Sequence, residues 1–198
     1  MNKKIFLTLA LSFLSFSAHA INSVNLEAVK PEQIERCQAV KAETLPLIVG
    51  EITWDSPDQS IGVTTTKEGS HPVTLNTEIA KTLKDSFNSM FTKCGFKIGT
   101  KGQPAIVIDI QVQDFFVKAE NALVVGKTEG TSRFILSFNN SKNDTYTSDN
   151  YAIEKEYKTG PTKKLSRLEK VINMILVDTM NEIASSRSFY DALAQLSK

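Results

Sequence analysis

The residues of this chain that could carry out chemistry are few, and their spacing fits none of the common catalytic or metal-binding patterns. The 198 residues include two histidines and two cysteines. His71 precedes Pro72 in a segment that we expect to be an exposed loop, and no G-x-S-x-G or S-x-x-K motif accompanies it. The sequence has no C-x-x-C pair to indicate zinc. We therefore predict no catalytic residues, no metal site and no cofactor.

Three pairs of carboxylates are close enough in sequence to be considered for glycoside hydrolysis, which needs an acid and a second carboxylate. The pairs are Asp55 with Asp58, Asp109 with Asp114, and Glu154 with Glu156. Alternating charges such as Glu154 and Glu156 are also the ordinary pattern of an exposed strand face. We interpret these carboxylates as surface residues.

Gly126, Lys127 and Thr128 match the end of a phosphate-binding loop. That loop also needs a glycine five residues before Gly126, where Asn121 stands, and a helix after the threonine. The sequence predicts a strand there instead, so we interpret the segment as a turn between two strands.

Residues 1–20 have the features of a secretory signal peptide, with a basic head at Lys3 and Lys4 and an apolar run over residues 5–16. Small residues at Ala18 and Ala20 suit cleavage before Ile21. No cysteine lies near Ile21 to take a lipid anchor, and no later segment is long and apolar enough to span a membrane. We expect a soluble protein that is periplasmic or secreted further.

The composition gives no indication of a nucleic-acid partner. The formal net charge is +1 for the whole chain and falls to about −1 without the two lysines of the predicted signal peptide. The length suits one domain. In an oxidising compartment Cys37 and Cys94 usually form a disulfide, which would stabilise the fold by roughly 3 to 4 kcal/mol. The alternative is two buried free thiols.

Hydrophobic periodicity predicts an α+β fold, a two-layer sandwich whose mostly antiparallel sheet has helices packed on one face. We divide the chain into the signal peptide, an N-terminal arm over residues 21–44 and a single domain over residues 45–198. Asn76 is the predicted N-cap of the first helix, and Gly95 is its predicted left-handed stop. The predicted strands are 45–54, 60–66 at an edge, 106–112, 133–138 and 145–157, and the predicted helices are 77–94, 165–184 and 188–196.

Aromatic residues are the best candidates for a partner-binding surface. Trp54 closes a predicted strand, and Phe115 and Phe116 cannot both point inward from one strand. One of the two rings therefore faces solvent or a partner, or else packs under the arm of residues 21–44.

The sequence resembles the YajG-like family of envelope lipoproteins over roughly residues 45–196. The resemblance lies in the helix end at Gly95-Phe96, the alternating aliphatics of 106–112, the hairpin of 133–157 and the segment Leu176-Val177-Asp178-Thr179. It implies an α+β domain at the cell envelope without a cofactor. Two features depart from the family: this chain lacks the lipidated cysteine, and Cys37 and Cys94 fall outside the family pattern.

We therefore expect a non-enzymatic envelope protein that binds a protein partner through its sheet face or an edge strand. The alternative is a carrier or chaperone for a lipid or another apolar envelope molecule. A carrier needs an apolar pocket between helices and sheet, whereas a partner-binding protein should have a filled core. The sequence specifies neither the partner nor the oligomeric state.

Overall fold

The structure, a computed structural model, describes residues 22–40, 44–54, 60–66, 69–120, 126–140, 145–159 and 165–198. The predicted signal peptide lies outside the described residues, as do Asp55, Asp58 and Asn121. The elements are β1 (Asn22–Val24), a 3-10 turn (Pro31–Gln33), β2 (Leu47–Trp54), β3 (Ser60–Thr66), β4 (Gly69–Leu75), α1 (Ile79–Lys93), β5 (Ile106–Glu120), β6 (Gly126–Asn140), β7 (Thr145–Thr159), α2 (Leu165–Ser185) and α3 (Arg187–Leu196).

Seven strands form one sheet in the order β1-β4-β3-β5-β6-β7, with β2 beside β5. β2 pairs with the first half of β5 and β3 with its second half, so they follow one another along the same side of that strand. β5 is therefore paired along both sides and forms the centre of the sheet.

The α+β class is confirmed, but the prediction of a mostly antiparallel sheet is wrong. Three pairs are parallel (β1 with β4, β2 with β5, β3 with β5) and three are antiparallel (β3 with β4, β5 with β6, β6 with β7). The physical reason is that each parallel pair joins strands that are not consecutive in the chain, so a long connection lies between them: β4 and α1, for example, separate β3 from β5. The alternation of apolar residues indicates which face of a strand is buried, but not whether the strand runs parallel or antiparallel to its neighbours.

The prediction that residues 60–66 form an edge strand is also wrong. β4 pairs with β3 on the side away from β5, so β3 lies inside the sheet. The predicted loop around His71 and Pro72 is instead strand β4. Pro72 is tolerated because β1 pairs only with Val73–Leu75, which leaves Pro72 at an edge where a backbone N–H is not needed.

A β-bulge decides which phenylalanine of β5 is buried. The register with β6 shifts between Val112 and Asp114. After the shift the odd-numbered residues point inward, and Phe115 is 2% exposed. We call the side of the sheet that carries Val112, Phe115 and Phe134 the inner face and the opposite side the outer face.

The first helix ends as predicted but begins differently. Gly95 has φ +84°, and its N–H donates to the Thr92 carbonyl, as expected for a left-handed helix stop. The N-cap is Glu78 rather than Asn76, and no side chain caps the helix. The hydroxyl of Thr77 instead bonds both backbone groups of Leu26, because the arm lies across the start of the helix.

Helix α2 lies directly on β6. Gly130 has no side chain, and a Cβ atom there would clash with the Ile175 side chain. Next to this contact the hydroxyls of Ser132 and Thr179, both buried, are 2.6 Å apart. A glycine in the strand is therefore what allows the helix to approach so closely.

We predict that this contact is energetically coupled. Gly130→Ala should cost roughly 1 to 3 kcal/mol of unfolding free energy through overpacking. Ile175→Val alone should cost about 0.5 to 1.5 kcal/mol. The double variant should lose at least about 0.5 kcal/mol less than the sum, because the shorter side chain leaves room for the new methyl group. Urea unfolding of the four proteins measures the coupling, and strict additivity would contradict the close contact.

Candidate functional site

The first candidate carboxylate, Asp109, has a structural role. Its Oδ1 accepts a hydrogen bond from the Glu51 N–H at 2.8 Å, and its Oδ2 accepts one from Asn139 Nδ2 at 3.0 Å. The bond to Glu51 lies at the irregularity of β2, where the register shifts between Val49 and Ile52. A Cβ atom at Gly50 would clash with Asp109, so the glycine is required there. Asp109 therefore holds the bulge of β2 against β5.

The other catalytic candidates are not assembled into a site either. Asp114 Oδ2 accepts a hydrogen bond from the Thr131 hydroxyl at 2.8 Å. Glu154 and Glu156 are exposed on β7. His71 lies half-buried in β4 rather than in an exposed loop, so that expectation is wrong. Within the described part of the chain, no three His, Cys, Asp or Glu side chains form a group that could hold a metal ion.

Gly126, Lys127 and Thr128 open strand β6. Thr128 pairs with Ala119 and is buried. A paired strand does not present the row of backbone N–H groups that a phosphate-binding loop needs.

The predicted disulfide is present. Cys37 and Cys94 are bonded, with their Cα atoms 5.3 Å apart. Cys94 is the C-cap of α1, so the bond connects the N-terminal arm to the end of that helix.

The structure separates the three aromatic candidates. Phe115 is buried on the inner face with its ring centroid 6.1 Å from that of Phe134. Phe116 is half-buried on the outer face, since its partner Thr131 lies between the inward-facing Gly130 and Ser132. The described part of the N-terminal arm pairs with β4 and hydrogen-bonds to the three helices. Trp54 pairs with Val112 and so lies on the inner face. Trp54 and Phe116 therefore belong to opposite faces of the sheet.

Trp54 borders a free edge of the sheet. On the side of β2 away from β5, Leu47 is paired. Its N–H donates to the Lys97 carbonyl and its C=O accepts from the Gly99 N–H, each at 2.8 Å. Among the described residues no strand pairs with this side between Ile48 and Trp54. Ile52 and Trp54 are partly buried there, so apolar side chains adjoin unpaired backbone.

A polar cluster connects β7 to α2, and sequence reasoning did not identify it. The Tyr157 hydroxyl donates to Asp178 Oδ2 at 3.0 Å, and Lys155 Nζ lies 2.8 Å from the same oxygen. Burial of the phenol, its hydrogen bond to Asp178 and the negative charge of that carboxylate raise the pKa of Tyr157. The sequence contains one signal for this cluster, because Lys155 and Tyr157 alternate onto the same face of a strand.

The model of a family described as uncharacterized lipoproteins matches residues 56–194. The chain belongs to this family. The predicted resemblance to YajG-like lipoproteins is thereby confirmed. The protein is accordingly associated with the cell envelope. No curated protein is significantly similar to it in sequence.

Solved structures are similar to this chain at low sequence identity. A Xanthomonas campestris protein of the family DUF330 has a TM-score of 0.55 and 10% identity, covering 88% of this chain and 98% of that chain. A putative neuraminyllactose-binding hemagglutinin homolog from Helicobacter pylori has a TM-score of 0.38 and 14% identity, covering 82% of this chain and 96% of that chain. The first similarity shows the fold alone, and the second is too low to support an argument.

The family segment Leu176-Val177-Asp178-Thr179 has a structural explanation. Leu176 is fully buried, Asp178 bonds to β7, and Thr179 bonds to Ser132 of β6. One turn of α2 thus contacts two strands. None of the described helices is apolar enough over 18 residues to cross a membrane.

We predict that Tyr157 makes the unfolding free energy of the protein depend on pH in the alkaline range. An unperturbed phenol has a pKa of 10.0, whereas the folded protein retains the Tyr157 proton to higher pH. The contribution of Tyr157 is therefore complete below pH 10 and is lost as the pH rises further. The unfolding free energy of the wild type should fall more steeply above about pH 10 than that of Tyr157→Phe. Asp178→Asn should be intermediate, because it removes the carboxylate charge but not the burial. Equal slopes in all three proteins would contradict the assignment.

Proposed function

We propose that this protein is a non-enzymatic protein of the periplasm that binds a protein partner by accepting an extended segment along the free edge of β2. The periplasmic location rests on the sequence of residues 1–20. The observation that carries the binding proposal is that no described strand pairs with the side of β2 away from β5 beside Ile52 and Trp54.

The direction of the backbone groups can be followed along β2. Leu47 directs its N–H and C=O away from β5, toward Lys97 and Gly99. Val49 has the same direction by strand alternation. Leu47 and Val49 pair with Ile106 and Ile108 of β5, and beyond the bulge Ile52 and Trp54 pair with the next two residues of the same face, Ile110 and Val112. Ile52 and Trp54 therefore have the same orientation as Leu47 and Val49. Val49, Ile52 and Trp54 thus offer backbone groups to an added strand, with their side chains on the inner face.

The side chains of β2 are mostly apolar, whereas those of β7, another edge of the sheet, include several charges. β7 is paired with β6 alone, and its exposed residues Glu154, Lys155 and Glu156 alternate in charge. Charged side chains on an edge discourage the addition of another strand. The β2 segment Leu47–Trp54 carries a single charge, at Glu51. Main-chain bonds with apolar contacts alongside are the usual basis of recognition by strand addition.

The packed interior favours this function over a carrier. The side chains that would have to line a ligand cavity between helices and sheet are all fully buried: Leu83, Phe87, Ile108, Phe134, Ile172 and Leu176. A pocket of about 590 Å³ is lined by residues of β2 and β5 and by Lys84 of α1, and another, of about 510 Å³, is lined by the N-terminal arm and α2. Their linings include Glu51, Lys84 and Lys101 in the first and Glu27, Glu169 and Lys170 in the second. Charged linings suit an apolar ligand poorly.

Photo-crosslinking in the native cell tests the edge. Benzoylphenylalanine at the exposed position Thr53 should give one defined adduct, and the same probe at Glu154 of β7 should give none. Ile52→Lys should abolish the Thr53 adduct because a lysine opposes strand addition. Ile153→Lys, the same change at a half-buried position of the β7 edge, should leave it intact.

A parallel probe at Phe116 separates the edge from the outer face. An adduct from Phe116 with none from Thr53 would assign binding to the outer face. No adduct from either position would contradict partner binding.

Native mass spectrometry tests the carrier. Protein purified from the periplasm without detergent should have the mass of the polypeptide alone. A lipid that remains bound in stoichiometric amount would overturn the proposal in favour of the carrier.

A further inference from the structure

The part of the N-terminal arm that follows β1 is held onto the helices by side chains rather than by strand pairing. We call residues 25–38 the strap. It follows β1 and lies along α1 and α2, with Leu26, Val29 and Ile34 each 2% exposed. Ser86 of α1 accepts a hydrogen bond from the Val29 N–H at 3.0 Å. The strap therefore covers apolar surface, and most of its polar contacts with the helices are made by its backbone.

Two asparagines of α2 bind the strap in the same way. Asn173 accepts from the Glu27 N–H at 2.8 Å and donates to the Asn25 carbonyl at 3.2 Å. Asn181 accepts from the Glu35 N–H at 2.7 Å and donates to the Gln33 carbonyl at 3.0 Å. Each amide thus pairs with the backbone of two strap residues as a neighbouring strand would.

The amide orientations are fixed by the helix itself. Asn173 Nδ2 also donates to the Glu169 carbonyl at 2.8 Å, and Asn181 Nδ2 to the Val177 carbonyl at 3.1 Å. Both asparagine side chains, which we call the clamps, are therefore held in position before they bind the strap. They bind backbone groups of the strap rather than its side chains. The two clamps are eight residues apart both on the helix and on the strap, and they divide the strap into two halves.

The second half of the strap ends at the disulfide. Gln38 donates its N–H to the Tyr190 hydroxyl at 3.1 Å and its Nε2 to the Ser185 carbonyl at 2.9 Å. Cys37 is exposed, whereas its partner Cys94 is 7% exposed at the end of α1. A thiol can thus reach one sulfur of the bond from solvent.

We propose that the Cys37–Cys94 disulfide is a redox lock on the second half of the strap, residues 33–38. When the bond is formed, this half is closed over α2 and α3. When the bond is reduced, this half opens while the first half stays bound through Asn173. The lock is independent of the proposed partner binding at β2, because its residues lie on the strap and the helices.

Reduction requires a dithiol, and the electrons balance as in ordinary thiol–disulfide exchange. A thiolate of the reagent attacks Cys37 Sγ, forms a mixed disulfide and releases Cys94 as a thiolate, which takes up a proton. The second thiol of the reagent then displaces Cys37 and leaves the reagent as a cyclic disulfide. Two electrons pass from the reagent to the two cysteines.

Opening follows because few contacts hold the second half once the bond is broken. The polar contacts are the Asn181 clamp and the two bonds of Gln38, and the apolar contact is Ile34. The Gln38 N–H donates to the hydroxyl of Tyr190. The opened form therefore exposes the Ile34 side chain and releases this hydroxyl, so the lock also controls apolar surface.

Hydrogen exchange of the intact protein, with and without dithiothreitol, tests the lock. Amide protection of Glu35 and Gln38 should fall at least about tenfold on reduction, whereas that of Glu27 should change less than about twofold. Cys37→Ser should reproduce the reduced pattern without reductant. Asn181→Leu should loosen only the second half, and the matched variant Asn173→Leu only the first.

Two results would overturn the proposal. If Glu35 and Gln38 stay protected after reduction is verified by thiol alkylation, the disulfide does not hold the strap. If reduction lowers protection throughout α1 and β5 as well, the bond is a global stabiliser and not a lock on one segment.

Discussion

The close approach of α2 to β6 is the constraint on which the rest of the structure depends. Ile175 can contact the sheet because Gly130 has no side chain, and Thr179 reaches Ser132 beside it. With one side of the helix fixed in this way, its other polar side chains are placed for two further tasks. Asp178 bonds to β7, and Asn173 and Asn181 bind the strap. A displaced α2 would therefore disturb both the sheet edge and the N-terminal arm.

The edges formed by β2 and β7 carry different side chains. β7 carries alternating charges and one of them, Lys155, pairs with α2. β2 is short and mostly apolar. Asp109 bonds to its bulge, and on both sides of the bulge Val49, Ile52 and Trp54 have the same orientation relative to β5. An edge that is apolar and kept in register is suited to receive a strand, whereas a charged edge resists one. This contrast is the physical basis of the proposed binding role.

The elements with strong local signals could be predicted from the sequence, and the candidate site largely could not. Helix α1 ends at Gly95 as expected, and the disulfide between Cys37 and Cys94 is present. Strand β4 was missed because His71 and Pro72 are typical of a loop. The burial of Phe115 rather than Phe116 depends on a bulge that alternation does not reveal. Trp54 was recognised as a surface candidate, but nothing local indicated that its strand would have an unpaired side.

The sequence by itself determined which residues are apolar, where helices begin and end to within a few positions, and which two cysteines can pair. These properties follow from side-chain chemistry and short-range spacing, so they are present before the chain folds. Strand direction, the order of the strands and the binding of the strap by Asn173 and Asn181 were decided by the tertiary structure. Each of them joins segments far apart in the chain, and their relative position exists only once α1 has crossed over the sheet and α2 has come to rest on Gly130.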